Sequence, residues 1–76
     1  MSKAVSKHLV VCVANEGYEA SLEKRKIYVV LSDASADQHG LLRVIDESGE
    51  DYLYPKALFH SIALSPSVTK AVLAAA

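Results

Sequence analysis

The chain has 76 residues, 51% of them hydrophobic and 22% charged, with a formal net charge of −1. A chain this short makes one small domain that buries only about 60% of its unfolded surface, and its near-zero charge gives no electrostatic footprint for nucleic acid or an anionic membrane. The single cysteine, Cys12, excludes an internal disulfide framework and points to a reducing, cytoplasmic setting.

Residues 1–7 are polar and read as frayed; Lys3 and Lys7 precede an apolar run that is too short for a secretion signal. Residues 8–14 are continuously apolar and β-branched, the pattern of a buried strand, with Cys12 as a small hydrophobe inside it. Asn15-Glu16-Gly17 breaks the run. Residues 18–24 lack a period and read as a loop with Leu22 tucked beneath it as a plug. Residues 25–31 form the second predicted strand. Residues 32–40 read as loop, because Asp33, Ser35, Asp37 and Gly40 all favour turns. No segment reaches the roughly 18–20 apolar residues of a membrane helix.

Residues 41–45 and 50–54 read as a β-hairpin around Asp46-Glu47-Ser48-Gly49. Asp at the first position and Gly at the fourth favour a type I turn with a bulge at Gly49. That register sets Leu42 and Val44 opposite Tyr54 and Tyr52 and turns Leu42 and Val44 inward. A two-residue Ser-Gly turn is the alternative, and it exchanges the faces. Pro55 ends the hairpin and opens a single helical turn, residues 58–64 form a fifth strand, and Ser65-Pro66 opens a helix over residues 66–75. Ten residues do not hold a helix alone. Its apolar side, with Val68, Val72 and Leu73, therefore covers an open end of the strand unit or forms the seam of a homodimer.

The expected fold class is mainly β: a small five-stranded SH3-like barrel with a short C-terminal helix, in one domain over residues 1–76 with its core at 8–64. The order of five strands resembles that of SH3-like domains. Leu22 with Lys24-Arg25 is similar to the end of their long loop, Gly49 to the turn between strands three and four, and Tyr54-Pro55 with Leu58-Phe59 to their fourth-to-fifth strand step. The run from Arg43 to Pro55 also resembles small bacterial barrel proteins of unassigned function. The polyproline groove of SH3 domains is not implied, because the chain has no Trp and only Tyr18 where that family has paired tyrosines.

No residue set points to catalysis. His8, His39, His60 and Cys12 lack zinc-site spacing, and the Ser-x-x-Lys matches at Ser21 and Ser67 lack partner motifs. Neither a cofactor nor a structural metal is implied. Asp46, Glu47, Glu50 and Asp51 crowd a turn that reads as solvated charge, with weak cation binding as the alternative. The tyrosines are the best binding candidates, since Tyr serves a core edge or an interface equally well. The leading expectation is a protein-interaction module that contacts a protein partner through Tyr28, Tyr52 and Tyr54, with Arg43 and the acidic turn setting orientation. The alternatives are a nucleic-acid-binding barrel using Lys24-Arg25-Lys26 with Tyr28, and a subunit that self-associates through the C-terminal helix.

Overall fold

The computed structural model describes residues 7–75. Five strands form one antiparallel sheet: β1 (Lys7–Cys12), β2 (Ile27–Leu31), β3 (Leu41–Ile45), β4 (Asp51–Pro55) and β5 (Phe59–Ser61), in the spatial order β4-β3-β2-β1-β5. The mainly β architecture with a short C-terminal helix is the one expected. No backbone ladder joins the two edge strands, β4 and β5, among the described residues. The sheet nevertheless curls, because Tyr54 on one edge strand and Phe59 on the other meet with ring centroids 6.4 Å apart.

Alternation explains the core. Val10, Cys12, Tyr28, Val30, Val44, Tyr54 and Phe59 share the concave face and are buried together. Leu22, from the irregular segment between β1 and β2, is fully buried among them, so the loop does carry a plug. The hairpin takes the bulged register: Val44 pairs with Tyr52 and Leu42 with Tyr54. Asp46 N–H donates to Glu50 O, Gly49 N–H donates to Asp46 O, and Gly49 has a φ of +85° that glycine adopts freely. Val44 points inward, and Leu42 packs against the core.

Several boundaries differ from the sequence reading. Residues 32–40 are not all loop: they contain a short helix, α1 (Ala34–Gln38). Asp33 caps it by accepting from the Ala36 N–H at 3.0 Å, so residues chosen as turn-formers act here as a helix start. β2 and β5 are shorter than expected, and β1 begins at Lys7. Residues 56–58 form the single turn after Pro55, a 3-10 turn (Lys56–Leu58). The centre of β1 is buried on both faces, with Leu9 on one side and Val10 and Cys12 on the other, while Val11 is half-buried and Val13, just past the strand, is exposed. The expectation of a frayed start falls, apart from Lys7, outside the described residues.

The C-terminal helix, α2 (Pro66–Ala74), starts where expected, with Ser65 Oγ accepting from Val68 N–H. Instead of an open end of the strand unit, it faces the convex side of the sheet. There Val72 and Leu73 share a cleft of about 670 Å3 with Ile27, Val29 and Ile45. No residue of α2 is fully buried. No helix among the described residues is long and apolar enough to cross a membrane.

Candidate interaction face

The four tyrosines separate into two pairs with different roles. Tyr28 and Tyr54 are core residues, which corrects the expectation that they form a contact face. Their registers decide this: Tyr28 pairs with Val10 and Tyr54 with Leu42, both on the concave side. Tyr52 shares that side but sits at the edge beyond Val44, and it is 50% exposed. Tyr18 is 37% exposed and packs its ring edge-on against Tyr54 at 5.3 Å.

Tyr18 and Tyr52, together with Leu53, Ser48 and Asp46, border an open cleft of about 360 Å3 at the β4 edge. Leu53 is 44% exposed and follows Tyr52 directly, so the two side chains leave opposite faces of β4. Tyr18 is one of the four candidate tyrosines, but the contact set expected from the sequence is Tyr28, Tyr52, Tyr54 and Arg43, without Tyr18 or Leu53. Period-two alternation marks Leu53 as facing away from Tyr52 and Tyr54, but nothing in the local sequence places Tyr18 against the hairpin.

Beneath the cleft lies a closed polar network. The buried Asp46 carboxylate accepts from Ser48 N–H at 2.8 Å, Ser48 Oγ at 2.5 Å and the Tyr54 hydroxyl at 2.6 Å. Burial pushes the Asp46 carboxyl up, yet donation from Ser48 and Tyr54 outweighs it and holds the group below its ordinary value. Burial, and then the Asp46 charge, pushes the Tyr54 hydroxyl up. Tyr28 makes a parallel arrangement, donating to Glu47 at 2.5 Å and accepting from Glu23 N–H at 2.8 Å. Burial first, and Glu47 second, raise its hydroxyl well above the ordinary tyrosine range.

The acidic turn does not gather into a cation site. Asp46 turns inward to Tyr54, Glu47 pairs with Lys26 at 2.6 Å, Glu50 accepts from the Tyr52 hydroxyl at 2.9 Å, and Asp51 pairs with Arg43 at 3.0 Å. Among the described residues no group of three or more His, Cys, Asp or Glu side chains is placed to hold a metal ion. Period two explains the scatter, because neighbours along a strand end point to opposite faces.

Arg43 does not reach the cleft either. Its side chain lies on the convex side, donating to Asp33 at 2.8 Å and to Asp51 at 3.0 Å, so it ties α1 to the hairpin. In the basic run, Lys26 is held by Glu47 and Glu23 and lies 5.7 Å from the Tyr28 ring centroid. Lys24, Arg25 and Tyr28 thus do not combine into a basic, aromatic surface, because Tyr28 is inside.

Seven of the nine acidic side chains (Glu16, Glu19, Glu23, Asp46, Glu47, Glu50 and Asp51) belong to the loop that carries Tyr18 or to the hairpin end that carries Tyr52. The two segments meet, as Glu47 N–H donates to Ser21 O at 3.2 Å. Among the described residues Glu16, Glu19, Asp46 and Glu50 have no salt-bridge partner. The cleft itself is lined by aromatic side chains, and its one charged lining group is the Asp46 carboxylate. Comparison with protein-family models, with curated proteins and with solved structures found no match to this chain.

Proposed function

We propose that this protein is a small non-catalytic interaction module whose contact face is the Tyr18–Tyr52 cleft at the β4 edge. The observation that carries the reading is the exposure of three large side chains around one open cleft: Tyr52 and Leu53 on opposite faces of the β4 edge, and Tyr18 from the loop packed against the hairpin. Exposed tyrosines supply contact area at low entropic cost, and they anchor many protein–protein interfaces. The Asp46 network supports the reading, since it fixes the hairpin from inside and leaves the rim side chains for a partner. The reading departs from the sequence expectation in its residues: Tyr18 and Leu53 replace Tyr28, Tyr54 and Arg43.

The test is cross-linked capture from a whole-cell lysate by the wild type and by Tyr18→Ala and Tyr52→Ala variants, each first shown to be folded by circular dichroism. A partner kept by the wild type and lost by both variants is the expected outcome. Capture unchanged by either variant overturns the assignment of this face.

A further inference from the structure

The β4 edge offers unpaired backbone groups as well as side chains. The β3–β4 ladder is bracketed by Asp46 N–H donating to Glu50 O and by Lys56 N–H donating to Gly40 O. In an antiparallel pair, every second residue turns its backbone groups to the partner strand. Tyr52 and Tyr54 therefore bond to β3, while the N–H and C=O of Asp51 and Leu53 and the C=O of Pro55 face outward. No backbone partner meets them among the described residues.

Natural edges are blunted by lysines, bulges or short length. The opposite edge follows that rule, because β5 has only three residues, with His60 and Ser61 exposed. β4 is guarded only at its ends, by Asp51 and by Pro55, which has no outward N–H; its centre shows Tyr52 on one face and Leu53 on the other, both exposed. Such an edge is a template for an added strand.

Charge identifies the occupant. Glu16, Glu19 and Glu50 flank the exposed tyrosines without a cation, and no Lys or Arg borders the cleft. A second copy would bring its own Glu50 and Asp51 to the same acidic edge, where like charges across a ladder oppose pairing. A lysine or arginine would instead find carboxylates and the faces of Tyr18 and Tyr52. Building on the interaction face assigned above, we infer that β4 receives an extended, basic segment of a partner protein as a sixth strand.

The test uses a labelled peptide of alternating Lys and Val, with an alternating Glu-Val peptide as its counterpart. Fluorescence anisotropy reads binding, and amide hydrogen exchange reads the strand. The Lys-Val peptide is expected to bind, more weakly as salt rises, and to slow exchange of the Asp51 and Leu53 amides at least about tenfold. The Glu-Val peptide is expected to do neither. Leu53→Pro removes an outward N–H without touching the β3 ladder, and Leu53→Lys places a guarding lysine on the edge. Each is expected to weaken Lys-Val binding about tenfold or more, and the second serves if the first does not fold.

Peptide binding that Tyr52→Ala abolishes but that leaves the Asp51 and Leu53 amides unprotected overturns strand addition and keeps the tyrosine face. No binding of the Lys-Val peptide, or equal binding of both peptides, overturns the basic occupant. Protection that rises with protein concentration alone, with a doubled mass in light scattering, overturns it in favour of a second copy.

Discussion

Replacing Asp46 by Ala removes the acceptor at the centre of the hairpin network. Ser48 is exposed and recovers water, so its two donors contribute little to the loss. Tyr54 does not recover water: its hydroxyl, buried against Asp46 at 2.6 Å, is left without an acceptor, which costs about 1–3 kcal/mol. Loss of those exposed Ser48 bonds, which close the turn, adds only roughly 0.5–1 kcal/mol, for a total of about 1.5–4 kcal/mol. A domain of this size has about 4–11 kcal/mol to lose. At about 4–8 °C per kcal/mol, the midpoint falls by roughly 6–30 °C.

Urea unfolding followed by circular dichroism measures the effect, and a cycle with Tyr54→Phe isolates the shared bond, expected at about 1–2 kcal/mol of coupling. A loss below about 0.5 kcal/mol, or no coupling, would refute the network as the hairpin's anchor. The pH dependence has a definite sign. The folded Asp46 carboxyl lies below its unfolded value of 3.8; its contribution is therefore present above pH 3.8 and lost as pH falls through the folded value. Asp46→Asn should flatten the stability profile in that acid window and leave its shape near neutrality unchanged.

Three further outcomes are expected. Leu22→Ala empties a fully buried plug position and should cost about 2–5 kcal/mol in denaturant unfolding; a loss under about 1 kcal/mol would mean the loop does not close the core. Arg25 is the one non-glycine residue with a positive φ, +69°, among the described residues. Relief of about 1–2 kcal/mol of backbone strain, less about 0.5–1 kcal/mol for glycine's unfolded-state entropy, makes Arg25→Gly stabilising by roughly 0.5 kcal/mol, and a lowered urea midpoint would contradict this. Burial pushes the Cys12 thiol up, so its alkylation at neutral pH should be slow and should accelerate in step with urea unfolding; fast labelling of the native protein would show that β1 opens readily.

The sequence by itself determined which segments are extended and where the hairpin turns, but it left two registers open, and the structure decided between them. Asp46 and Gly49 favour a bulged turn, and once that turn is set, period two carries Leu42, Val44 and Tyr54 to one face. It also determined the start of the C-terminal helix, because Ser65-Pro66 is a local signal. Local chemistry did not foretell α1, since the Asp and Ser residues that cap a helix are the same ones that make turns. The position of a tyrosine relative to the edge was decided only in three dimensions. Tyr28, Tyr52 and Tyr54 share a face of the curled sheet, but β2 is central and Tyr54 is roofed by Tyr18, whereas Tyr52 lies past the last core residue. The acidic turn followed the same rule. Four neighbouring carboxylates looked like one charge cluster along the chain, but β-geometry sends them to Tyr54, Lys26, Tyr52 and Arg43 on different sides. What remains unneutralised, beside an edge whose centre is open, comes from bringing the Tyr18 loop against the hairpin, a long-range contact that no local pattern encodes.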